Sequence, residues 1–236
     1  LLITGLTVTA QTTPADSLLR RLQHAKEDTA AVQLYMELGN HYESVEIDKS
    51  NYYFYKAIDL SNKIKYLPGS IAAYTGYSNH FYMTGEYDSV IYFNEKALDL
   101  ARQIKDSFRI ASSLFNIGTA HGFLTNYETA TEFCLEGRKM IEGNRYDELE
   151  ASMNDKLQVL YQQMVQYDKA IEYGEKALEK ARTLKNPFFL AQTLINLAGS
   201  HMQKRNPEKV KPLLTEALGI ARQLNNLELE GKTILS

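Results

Sequence analysis

A single cysteine, Cys134, leaves this chain of 236 residues without an intramolecular disulfide or a cysteine-rich metal site. Tryptophan is missing and proline occurs only five times, which suits a chain made mostly of helix. No stretch reaches the roughly 20 apolar residues of a membrane-spanning helix, so membrane contact is expected only through a span outside this segment. An excess of basic charge is lacking too. With 26 basic and 29 acidic residues the net charge is −3, which speaks against nucleic acid as a partner of this segment.

Catalytic patterns are equally scarce. Gly231-Lys232-Thr233 has the end of a phosphate-binding loop, but the position five residues before Gly231 is Asn226 where that loop requires glycine. His41, His80, His121 and His201 recur about 40 residues apart and are fold positions, with no His-x-x-x-His pair to hold a metal. Carboxylates such as Asp147, Glu148 and Glu150 belong to solvated helix faces, and Cys134 reads as a small buried hydrophobe. No catalytic residue, cofactor site or metal site is expected, and the segment is read as non-enzymatic.

What the chain does have is repetition. "GEYDSVIYFNEKALDLAR" (85–102) returns as "VQYDKAIEYGEKALEKAR" (165–182). Ala57, Ala97, Gly137, Ala177 and Ala217 stand 40 residues apart, each preceded seven residues earlier by a compact residue: Ser50, Val90, Ala130, Ala170 and Val210. Leu38, Tyr77, Ile117, Leu157 and Leu197 repeat upstream. Within a unit, Tyr74, Tyr77, Ser78 and Phe81 form one helical stripe, and Val90, Ile91, Asn94, Ala97 and Leu98 form a second. Gly85 supplies a turn between them, and Asn126 and Asn206 stand where later helices would be capped. Neither helix of such a hairpin can bury its stripe alone, so stacked hairpins are required.

"YMELGNHY" (35–42) and "LFNIGTAH" (114–121), followed by "YDSVIYFNEKAL" and "YDKAIEYGEKAL", resemble the tetratricopeptide repeat (TPR). The resemblance implies an all-α fold, a right-handed α-solenoid of helix hairpins, here with a 40-residue period. Repeats start near 32, 71, 111, 151 and 191, with a partial sixth from 231. Residues 32–236 form the array, and 11–31 a linker with an amphipathic capping helix over Ala15–Asp28. Pro212 is expected to kink the second helix of the fifth repeat or delay its start. Residues 1–10, "LLITGLTVTA", read as the tail of a secretory signal, with Val8 and Ala10 where a signal peptidase requires small side chains.

The same resemblance assigns ligand contact to the first helix of each repeat. The candidate partner-binding residues are Met36, Asn40, Asn79, Tyr82, Met83, Phe115, Thr119, Phe123, Gln162 and Met202. The positions it points to contain no lysine or arginine, so the lysine-rich clamp with which some TPRs hold acidic tails is absent. A neutral to apolar protein or peptide is the expected partner, or a second copy of the chain. "DSLLRRLQHAKEDTAAVQLYMELGNHY" is similar to the entry into envelope TPR regions of bacterial two-component sensors. The expected role is the extracytoplasmic, periplasmic sensing region of such a protein, membrane-tethered at full length. A free-standing periplasmic adaptor, or the TPR region of a helix-turn-helix regulator, is the alternative.

Overall fold

The computed structural model describes residues 13–143 and 146–235; the leader-like run 1–10 lies outside them. Twelve α-helices and no strand occur among the described residues. They fall into two compact units. The first contains α1 (Pro14–Gln23), α2 (Thr29–Tyr42), α3 (Ile47–Lys63) and α4 (Leu67–Thr84). The second contains α5 (Tyr87–Gln103), α6 (Ser107–Phe123), α7 (Tyr127–Met140), α8 (Asp147–Gln163), α9 (Tyr167–Ala181), α10 (Pro187–Gln203), α11 (Pro207–Gln223) and α12 (Leu227–Leu235).

First helices begin at 67, 107, 147, 187 and 227, a 40-residue rise kept throughout. These starts precede the expected repeat starts by four residues, because capping turns rather than apolar stripes set where a helix begins. Asp28, Asp106 and Asn186 accept backbone N–H groups of α2, α6 and α10, and Asn226 Oδ1 accepts Leu229 N at 2.9 Å. Asn126 and Asn206, expected as caps, make no side-chain cap bond. The N-terminal helix is shorter than expected and ends at Gln23, with a Thr13–Asp16 capping box at its start. Pro212 sits inside an uninterrupted α11, close to its start and exposed, so the carbonyl that loses a donor there can turn to water.

Helix ends are made in one way. Lys65, Lys105, Thr125, Val165, Arg205 and Asn225 all take left-handed φ values between 50° and 62°, at multiples of 20 residues. Each is followed by a residue whose N–H reaches back to the carbonyl five positions earlier, as Asn126 to His121 and Gln166 to Tyr161. Gly85 does the same work at φ 76°.

Core formation follows the small markers. Ala57, Ala97, Ala177 and Ala217 are fully buried, as are Val90, Ala130 and Ala170. In the first unit α2 pairs with α3, α4 packs on both, and α1 covers Leu38 and Tyr42 with Ala15. In the second unit α6/α7, α8/α9 and α10/α11 are hairpins, with α5 against α6 and α12 against α11. Cys134 is buried in one of these contacts, and burial pushes its thiol pKa up to about 12, leaving it inert.

Val165 is β-branched, exposed and left-handed, a combination that strains the backbone by ~1 kcal/mol or more. Val165→Gly is expected to raise unfolding free energy by about 0.5–1 kcal/mol in urea titration, net of the glycine's extra unfolded-state freedom. A loss of stability would contradict the helix-end geometry described.

Candidate functional site

In the first unit the candidate positions lie on α2 and α4, which pack together. Met36 is half-buried and packs on the cluster of Ala31, Val32 and Ala57, whereas Asn40 and Asn79 are exposed. Tyr82 is half-buried and Met83 stands 84% exposed, one helical step apart on α4.

In the second unit α6, α8 and α10 lie side by side, each packed on the next. Phe115, Thr119 and Phe123 share one stripe of α6. Phe115 turns into two core clusters, one with Leu157 and Leu160 and one with Ala111 and Met153. Thr119 is half-buried, and its Oγ1 has no hydrogen-bond partner among the described residues. Phe123 is 54% exposed and stacks on Tyr87 with centroids 4.8 Å apart and planes within 4°.

Phe123 also borders a cavity of about 180 Å³ with Tyr127, Lys156, Val159 and Gln163. The Lys156 ammonium lies 5.4 Å from the Phe123 ring centroid, within cation–π reach. Burial holds the Lys156 pKa below the usual lysine value. No carboxylate of the described residues is within ion-pair distance of it. Sequence reading missed Lys156 because it took five positions per repeat and skipped this one. Its signal was available: Lys156 is spaced i, i+3 and i+7 with Val159 and Gln163 on the same helix.

Amide groups join α8 to α10. Asn196 Nδ2 donates to both Asp155 carboxylate oxygens at 3.1 and 3.2 Å, and Gln192 Nε2 donates to Asn196 Oδ1 at 3.2 Å. Deeper in the hairpin, buried Gln158 donates to Ser200 Oγ at 3.1 Å, and that hydroxyl stands 3.5 Å from Gln162 Oε1. Gly199 leaves room beside Gln162, since a Cβ there would lie 3.6 Å from its Nε2. The result is a polar row, Gln192–Asn196–Asp155 and Gln162–Ser200–Gln158, next to the Phe123 cavity. Met202 stands apart from it, lining a separate apolar cavity of about 650 Å³ with Val210, Leu214, Leu218 and Ile234. Among the described residues no group of three metal-ligating side chains converges, and no helix is long and apolar enough to cross a membrane.

Burial raises the pKa of Asp155, and the Asn196 amide opposes that rise. A carboxyl raised in the fold is disfavoured as pH climbs through its folded pKa, and stability is lost in that direction. Asn196→Ala should therefore cost about 1–3 kcal/mol near neutral pH and much less below the ordinary carboxylate range. Urea unfolding at both pH values checks this, and an equal loss at both would remove Asp155 from the account.

No protein-family model matches the chain. Response regulator aspartate phosphatase A of Bacillus subtilis (strain 168) is 28% identical over 144 residues, covering 58% of this chain and 38% of that protein. The chain thus spans well under half the length of this curated relative. Among solved structures, the signal-transduction ATPase with a tetratricopeptide repeat sensor from Pyrococcus horikoshii superposes with a TM-score of 0.79 at 22% identity, covering 91% of this chain and 34% of that one. A Rap protein in complex with competence and sporulation factor superposes with a TM-score of 0.70 at 15% identity, over 93% and 66% of the two chains. The fold is the TPR-like, all-α repeat fold that the sequence resemblance implied.

Proposed function

We propose that this segment is a protein-interaction module, and that the α6–α8–α10 face of the second unit holds a peptide segment of its partner. The observation that carries the reading is the pairing of an apolar notch with an amide row. Phe123 and Val159 offer contact to an apolar side chain, while Gln162, Gln163 and Asn196 present groups that match a peptide backbone. Such a division suits a ligand of neutral to apolar character, with backbone hydrogen bonds providing affinity and one pocket providing selectivity. A second copy of the chain is the other partner this face fits. The segment binds rather than catalyses.

The finer reading is a signalling role, as the extracytoplasmic sensing region of a two-component protein tethered by a span elsewhere. Its support is the leader-like run 1–10 and the sensor-like phrase over 16–42. The relative named for response regulators and the neighbour bound to a competence and sporulation factor are signalling proteins as well, which favours the signalling part of the reading. Fractionation of cells expressing the native coding sequence tests the location, and recovery in the cytosol alone would overturn it.

Binding is tested by panning a peptide library on the purified chain and then on a Phe123→Ala, Gln162→Ala variant. The expected result is enrichment of apolar-anchored peptides that the variant binds roughly tenfold or more weakly, equivalent to about 1.4 kcal/mol, with unchanged helicity. Equal binding by the variant would move the site off this face.

A further inference from the structure

Three hairpins close the same corner with a pair of stacked rings. Tyr42 stacks on Tyr53 with centroids 5.7 Å apart, His121 on Phe133 at 5.5 Å, and Tyr161 on Tyr173 at 5.4 Å. Interplanar angles are 15°, 7° and 14°. In each pair the first ring comes from the end of a first helix and the second from the facing second helix.

Forty residues beyond the last pair the positions are His201 and Leu213, so the α10/α11 hairpin has one ring and no partner for it. Its surroundings shrink as well. Arg138, whose guanidinium lies 5.9 Å from the Tyr173 centroid, is replaced one repeat later by Leu178, and Glu172 by Pro212. A cavity of about 450 Å³ opens at this corner, walled by Leu178, Leu197, Pro212 and Leu213, with His201 in the wall. His201 is 6% exposed, and its Nδ1 has no hydrogen-bond partner among the described residues.

The charges at this cavity are also placed by the repeat. Lys209 holds the position of Lys169, whose ammonium lies 5.0 Å from the Tyr161 centroid, and of Lys49, 5.1 Å from that of Tyr42. Two carboxylates, Glu175 and Glu208, join Lys209 in the lining. The net lining charge is negative, and the only cation occupies a site that elsewhere in the chain faces an electron-rich ring.

We propose that this cavity binds a small aromatic amine, with a phenol or indole ring stacked on the His201 imidazole and its ammonium group directed to Glu175 and Glu208. The ring supplies from outside what Tyr53, Phe133 and Tyr173 supply within the other hairpins. A cavity of this size falls in the lower range of small-ligand pockets, large enough for one substituted ring. The site lies among α9, α10 and α11, apart from the Phe123 notch, and does not depend on the peptide reading.

Leu213→Tyr provides the test, because it places in the cavity the residue found at the equivalent position of α9. Tyramine is titrated into the whole chain while the His201 ring protons are followed by NMR, with 4-hydroxyphenylacetate as the ring of opposite charge. Saturable tyramine binding, roughly tenfold tighter than 4-hydroxyphenylacetate and lost in Leu213→Tyr, is expected. The variant should also melt at a higher temperature than the parent, having restored the stack. Leu213→Phe, which fills the slot without a hydroxyl, should block binding in the same way. Absence of tyramine binding at millimolar concentration, or unchanged binding in both variants, would overturn the proposal. Preference for 4-hydroxyphenylacetate would overturn the charge assignment and with it the class of ligand.

Discussion

Everything in this fold depends on how closely the two helices of a hairpin can approach. The contact is set by one residue on each helix, and the two are complementary in size. Gly39 faces Phe54, whose ring would lie 3.0 Å from a Cβ at that glycine. Gly118 faces Cys134, with Sγ 2.9 Å from the equivalent point. In α8/α9 the order is reversed: Gln158 is the large residue, and Gly174 the small one, with Gln158 Cδ 2.7 Å from where a Cβ would stand. A methyl group added to the small side meets atoms already at contact distance, while a shorter large side leaves a void. The repeated alanines flank this contact and keep the helices close along their whole length.

The reversal in α8/α9 has a consequence for binding. A large residue on the first helix of the hairpin has to be accommodated in the core, and here it is polar. Gln158 is fully buried and needs a partner, which it finds in Ser200 on α10. Ser200 in turn stands beside Gln162, so the size exchange ties the hairpin core to the amide row on the α8–α10 face. The site and the packing are one network at this point. The α10/α11 hairpin departs from its siblings differently, losing a ring instead of exchanging a glycine, and the corner it leaves open is a second place where the repeat yields a cavity.

Much of the fold was legible in the residues. The 40-residue period, the small markers and the helical stripes follow directly from spacing, because a hairpin repeat imposes the same burial at the same position each time. Helix ends were harder to see. Only Gly85 announces a left-handed turn, whereas Lys65, Thr125 and Val165 adopt one because the backbone bonds of the helix end hold them there, whatever their side chains prefer. The caps were misplaced for a related reason. Asn126 and Asn206 already close the preceding helix through their backbone N–H groups, and the side-chain caps fall instead before α2, α6 and α10. In the site, the exposure of Asn40, Phe123 and Met83 agrees with a ligand-facing placement, but Phe115 is drawn into the core by neighbours that a single-helix pattern does not reveal. Lys156 and the Gln158–Ser200 link depend on contacts between helices 40 residues apart, and residue identity alone does not report them.

The packing rule is tested most directly by a double-mutant cycle on Gln158 and Gly174. Alone, Gly174→Ala should destabilise the chain by about 1–3 kcal/mol, because the new methyl group overlaps the Gln158 side chain. In a Gln158→Ala background the same substitution should become neutral or stabilising by up to ~1 kcal/mol, since the space is free and alanine is the better helix former. An equal cost in both backgrounds would show that the two residues do not set the helix separation, and would contradict the account at its centre.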